Sequence, residues 1–197
     1  MFTKTQIKVL EIFVSKIDEK FSIKQISELL NKAYPLIHRS VKSLIETNFI
    51  NKDSKDLLSL NYKDNHLEIA YIESIRRNKF ITKDKTIQLF FHDVLQSIKL
   101  DFFILLVFGS SIGNKSPKDV DILLILDDNK KINQISQLLD NIASNFSKRF
   151  DINVISLESV YEMFSKRDEN NIMNETLNNH IIIFGGENYY RVLKNAR

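Results

Sequence analysis

The chain contains no cysteine, which closes off disulfides and thiolate metal sites but leaves its redox compartment undecided. Its four histidines, His38, His66, His92 and His180, are scattered without the spacing of zinc ligands. No apolar run approaches the roughly 20 residues that a membrane helix needs, and the N-terminus lacks the apolar segment of a secretory signal. A cytoplasmic protein with no membrane partner is therefore expected. Glycine and proline are scarce, at four and two residues, and neither occurs between Pro35 and Gly109. A structured helical connection, not a flexible linker, should join the two ends of the chain.

The 197 residues suffice for one domain or two small ones, and 43% hydrophobic with 27% charged residues is the composition of an ordinary soluble globular protein. The net charge is only +3, but its distribution is uneven. Residues 1–62 carry ten Lys/Arg against seven Asp/Glu, and residues 63–197 carry eighteen of each. All of the excess sits in the N-terminal third, where it hints at an anionic partner.

That third reads as three short helices and a hairpin. In "TKTQIKVLEIFVSKI", Ile7, Leu10, Val14 and Ile17 recur at helical spacing behind a Thr3 or Thr5 cap. In "SIKQISELLN", Ser22 caps a second helix whose apolar face is expected at Ile26, Leu29 and Leu30. In "YPLIHRSVKSLIETN", Pro35 suits a first helical turn and Ile37, Val41, Leu44 and Ile45 form the buried stripe. "FINKDSKDLLSLN" then places two apolar stretches around a polar tip at Lys52 to Asp56. Over roughly residues 3–62 this order resembles the winged helix-turn-helix family. The resemblance implies duplex DNA as a partner: His38, Arg39, Lys42 and Ser43 on the third helix, with Tyr34 at its entrance, would face a major groove, and Lys52 and Lys55 at the wing tip would touch phosphates. Winged domains also mediate protein contacts, and the same charges suit a solvated helix face.

Two amphipathic helices follow, through "NHLEIAYIESIRRNKF" and "KDKTIQLFFHDVLQSI", with His66 and His92 read as surface or packing residues. The rest alternates: strands in "FFILLVF", "VDILLIL" and "FDINVISL", a helix between the second and third, two further helical pieces, then strand, turn and helix in "HIIIFGGENYYRVLKNA". The expected class is mixed α+β: a winged helix-turn-helix domain at 1–62, a helical connector at 63–99 and an α/β domain with a small mixed sheet at 100–197. Tyr189, Tyr190 and Arg191 are read as packing the last helix, and Asp127 and Asp128 as turn residues.

The chemistry concentrates in "LLVFGSSIGNKSPKDVDILLIL". Alternate strand residues share a face, so Asp119 and Asp121 point the same way. Bare, they would repel and one would take up a proton; a divalent cation removes the conflict. Gly109 ends the preceding strand where close backbone approach needs no Cβ, Ser110 and Ser111 offer hydroxyls and N–H groups to an anion, and Lys115 lies in the same loop. A third acid, Asp151, opens the next strand, and a strand–helix–strand unit brings the starts of both strands to one sheet edge if they run alike. Three carboxylates there suit Mg²⁺.

Hydrophobic-Gly-Ser, then Asp-hydrophobic-Asp-hydrophobic, then a later strand acid resembles the polymerase-β-like nucleotidyltransferase superfamily, especially its minimal members. The matching positions are Phe108, Gly109, Ser110, Asp119, Val120, Asp121, Ile122 and Asp151. The resemblance implies that Asp119 and Asp121, with Asp151, hold Mg²⁺ or Mn²⁺ bridging a nucleoside triphosphate such as ATP, that Ser110 contacts the terminal phosphates, and that Asp151 helps deprotonate an acceptor hydroxyl. Minimal members often act as antitoxins that adenylylate a partner ribonuclease, so a protein hydroxyl is the expected acceptor, with a second copy of the chain as a further possible partner. The loop before Asp119 is tighter than in many relatives, with Ile112 and Lys118 at positions where smaller or hydroxylic residues are frequent. Two alternatives stand: a DNA-binding regulator whose transferase fold only senses nucleotide, and a transferase acting on RNA ends or a small hydroxyl compound. The even charge balance of residues 63–197 disfavours RNA.

Overall fold

A computed structural model describes residues 2–113, 118–166 and 171–197. It is mixed α+β, with one two-stranded and one four-stranded sheet among the described residues. Helix α1 (Lys4–Ser15) begins at a capping box in which Thr3 and Gln6 satisfy each other's backbone N–H groups. Ser22 and Gln25 repeat the device for α2 (Ile23–Leu30), which ends on Asn31 in the left-handed conformation, φ 47°. Pro35 lies in the first turn of α3 (Tyr34–Glu46). Strands β1 (Ile50–Lys52) and β2 (Leu58–Leu60) form an antiparallel hairpin. The Asp53 carboxylate organises its tip, accepting the backbone N–H groups of Lys55 and Leu57, and an ion pair with Lys20 at 2.8 Å helps hold its pKa down at about 2.

One apolar residue departs from its expected place. Ile26 is buried but Leu29 is 59% exposed. The contact line of α2 with its neighbours runs through Ile26 and half-buried Leu30, four residues apart, which turns the intervening Leu29 outward.

The larger sheet has strand order β5-β4-β3-β6, from β3 (Phe103–Phe108), β4 (Asp119–Leu126), β5 (Arg149–Ser156) and β6 (His180–Phe184). Strand β3 runs antiparallel to both β4 and β6, while β4 and β5, linked through α6 (Ile132–Ala143), run parallel. Strand alternation sorts the side chains. Phe103, Leu105 and Val107 with Ile122 and Leu124 face Phe90, Phe91 and Val94 of α5 (Lys85–Ser97) and Leu139 of α6. Ile104, Leu106 and Phe108 with Leu123 and Ile125 face the opposite layer, made of α4 (His66–Ile81), α7 (Leu157–Ser165), α8 (Ile172–Thr176) and α9 (Gly186–Ala196), in a core continuous with Val9, Phe13 and Val41 of the N-terminal unit. The two helices between the N-terminal unit and the sheet thus become coverings of its two faces.

Where these parts meet lies a buried polar cluster. Glu73 of α4 pairs with Arg76 at 2.7 Å and accepts the Tyr190 hydroxyl at 2.7 Å, with His180 Nε2 3.1 Å away. Arg76 also donates to the carbonyls of His180, at 2.7 Å, and of Val14 in α1, at 3.4 Å. Burial opposes ionisation of Glu73, but the charges of Arg76 and His180 and the hydrogen bonds outweigh it and leave its pKa lowered.

Candidate active site

The end of β3 and the starts of β4 and β5 form the site. In register, Asp151 on β5 stands beside Asp121 on β4, Asp121 opposite Phe108 on β3, and Phe108 opposite His180 on β6. All four lie on one row across the sheet. Parallel neighbours in register are about 4.8 Å apart in the backbone, so the two carboxylates share one small region. Asp119, two residues before Asp121, is on the same face.

After Phe108 the chain turns through Gly109, at φ +74°, into a single 3-10 turn, Gly109–Ser111. A Cβ on Gly109 would stand 2.6 Å from Oδ2 of Asp121, so glycine allows the turn to lie directly against the carboxylate. The two serines separate. Ser110 is exposed, whereas Ser111 is fully buried and its hydroxyl donates to the Phe108 carbonyl at 3.3 Å. Ser111 therefore shapes the turn while Ser110 faces outward. Lys115 lies outside the described residues.

The electrostatics follow from the crowding. Partial burial, then the negative charges of Asp119, Asp151 and Glu175, push the pKa of Asp121 above the ordinary carboxylate value, and Arg149 only partly offsets them. Arg149 donates from Nε and Nη2 to Oδ1 of Asp151, both at 2.9 Å. Among the described residues no group of three His, Asp or Glu side chains is gathered closely enough to hold a metal ion. The donor chemistry nevertheless suits one: hard carboxylate oxygens and like charges that depress ionisation.

Three contributors were not foreseen from the sequence. Arg149 sits two residues before Asp151, so the alternation that aligns the acids also puts it on their face. Glu175, at the end of α8, joins the acids from a distant part of the chain. Asn179, just before β6, donates from Nδ2 to the Gly109 carbonyl at 2.7 Å and braces the turn. Nothing local in the sequence marks Glu175 or Asn179. Tyr189 and Tyr190, at 1% and 0% exposure, are core residues, and Arg191 pairs with Glu187.

A second surface lies on α3. Tyr34, His38, Arg39 and Lys42 are all exposed on it. Lys42 is 3.9 Å from Glu46 and Lys52 is 2.7 Å from Asp56, both in solvent-exposed pairs that salt screens readily, and Lys55 is exposed at the hairpin tip. Ser43 departs from this group: it is half-buried and accepts a hydrogen bond from Gln6 Nε2 at 3.0 Å, which faces it toward α1.

Compared with protein-family models, with curated proteins and with solved structures, the chain matches none. No helix among the described residues is long and apolar enough to cross a membrane.

Proposed function

We propose that the chain is a Mg²⁺- or Mn²⁺-dependent nucleotidyltransferase that moves a nucleoside monophosphate, AMP from ATP, to a hydroxyl on a partner protein. The observation that carries the reading is the set of contacts around Asp121: Gly109 against its carboxylate and Asp151 beside it in register. In this reading Asp119, Asp121 and Asp151 would hold the divalent cation, which would supply stabilisation of charge in the transferring group. Exposed Ser110 and the turn's N–H groups bind the terminal phosphates, and the pyrophosphate they hold departs as the acceptor oxygen bonds to the α-phosphorus. The acceptor's proton goes to a carboxylate, with Asp151 assigned that part, and its hydrogen bonds to Arg149 orient it.

The N-terminal unit, in the same proposal, is a winged helix that binds duplex DNA or docks the partner. Its exposed Arg39 and Lys42 support the DNA role.

A second reading draws on the Arg149–Asp151 pair, which takes up one carboxylate with an internal cation: a DNA-binding regulator whose transferase fold senses nucleotide without catalysis. Calorimetric titration of ATP with Mg²⁺ or Mn²⁺ into wild type and into Asp119→Ala/Asp121→Ala separates the accounts. Metal-dependent binding that the double variant loses is expected, followed by transfer of the labelled monophosphate once the acceptor is supplied. Metal-independent binding retained by the double variant would favour sensing, and no binding of any nucleoside triphosphate would remove the transferase reading.

A further inference from the structure

At the β6 edge of the sheet, the last turns of α4 and the outer side of α5 line a half-open cavity of about 680 Å³. That volume falls within the ~300–1,000 Å³ typical of small-molecule sites. Its floor is apolar, made by Phe91, Leu95 and Ile183, and Leu89 of α5 is 55% exposed at its mouth. Its cations are Arg77 and Lys85, with His92 beside them, and no acidic residue lines it among the described residues.

The two cations are unlike their neighbours. On α4, Arg76 pairs with Glu73 and Lys79 with Glu11. Arg77 instead donates to the Ile183 carbonyl and to Oδ1 of Asn78, each at 3.3 Å, all neutral acceptors. Its guanidinium is held in place, and no described carboxylate pairs with it. Lys85 likewise has no carboxylate within ion-pair distance among the described residues. A cation held by hydrogen bonds and a second, exposed one beside an apolar surface complement one kind of ligand, an apolar body carrying an anionic head.

We propose that this cavity binds a small amphipathic carboxylate, its hydrocarbon on Phe91, Leu95, Ile183 and Leu89 and its head on Arg77 and Lys85. The site is independent of the acids around Asp121. Octanoate, well below its micellar concentration, is the probe, titrated calorimetrically into the full chain beside octan-1-ol as the neutral control. Saturable one-to-one binding is expected, weakened at least tenfold in Arg77→Gln/Lys85→Gln and in Leu89→Asp, at least tenfold weaker for the alcohol, and unchanged in Asp119→Ala/Asp121→Ala. Leu89→Asp alters an exposed position, and a melting temperature equal to wild type separates its loss of binding from unfolding. Absence of saturable binding, binding that both cavity variants keep, or equal binding of the alcohol would each overturn the proposal.

Discussion

Gly109 and Asp121 are in direct contact across two strands: a Cβ on the glycine would stand 2.6 Å from Oδ2 of the aspartate. The backbone there also takes φ +74°, where a side chain costs about 1–2 kcal/mol. Gly109→Ala therefore strains the turn and pushes the carboxylate aside together. We expect a chain destabilised by about 1–2 kcal/mol in urea that has lost metal-dependent nucleotide binding. Ser110→Ala is the control for the fold, because Ser110 faces outward and its removal leaves Asp121 where it is.

Asp121 binds its proton more tightly in the folded chain than in the unfolded one, because burial and the charges of Asp119, Asp151 and Glu175 raise its pKa. The sign for stability follows from linkage. The contribution of such a group is full below its ordinary value of 3.8 and declines as pH rises through the folded value, so at pH 7 the ionised carboxylate costs stability. Asp121→Asn removes the repulsion. It should melt about 2 °C above wild type at pH 7 without divalent cation, or roughly 0.5–1 kcal/mol after solvent screening, with the gap closing as pH falls toward 3.8. Added Mg²⁺ should raise the melting temperature of wild type alone. Scanning calorimetry at several pH values checks both, and a variant less stable than wild type at pH 7 would contradict the repulsion.

How far the sequence led depends on whether an interaction was local. The period of two along β4 was enough to align Asp119 with Asp121, and the strand–helix–strand connection to α6 and β5 was enough to bring Asp151 to the same edge. The same period puts Arg149 on that face, yet a single basic residue at a strand start looks like any solvated strand end. Glu175 and Asn179 reach the site through the packing of α8 and the loop before β6, which no local pattern encodes. Leu29 shows the limit of apolar periodicity in an eight-residue helix, where a contact line through Ile26 and Leu30 leaves the third apolar position outside. Glu73 is the converse. A glutamate in "YIESIRR" reads as solvated, and only the meeting of α4 with β6 and α9 supplies the His180 and Tyr190 partners that, with Arg76, bury it.

That burial places Glu73 in the polar cluster that joins α1 of the N-terminal unit to the sheet, through Arg76 and its bonds to the Val14 and His180 carbonyls. Its removal leaves Arg76 and His180 without their carboxylate in the core, which costs about 3–5 kcal/mol. Glu73→Ala should lose that much by urea denaturation, and Tyr190→Phe, which deletes one hydrogen bond to the charge, about 1.5–3 kcal/mol. Because the pKa of Glu73 is lowered, its contribution is present above the ordinary value of 4.5 and is lost as pH falls through the folded value. Wild type should therefore lose its advantage over Glu73→Gln in acid. An equal difference at pH 7 and in strong acid would mean that the charge is not what stabilises the cluster.

Arg39 and Lys42 test the remaining surface. Both are exposed on α3, and the 3.9 Å approach of Lys42 to Glu46 is too weakly held in solvent to compete with a phosphate. Removing one cation that neutralises a phosphate should reduce the dependence of log K on log salt by about 0.9, so Arg39→Ala/Lys42→Ala should flatten the slope by about 2 on duplex DNA of any sequence. Ser43→Ala should leave the slope unchanged, because that hydroxyl is already turned to Gln6. The two variants separate a charged face that meets phosphate from one that is merely solvated: a flattened slope in the first and none in the second assigns the phosphate binding to α3. An unchanged slope in both leaves the exposed Tyr34 and Leu36 as the prominent feature of this face, and apolar side chains at a helix entrance favour a protein partner over DNA.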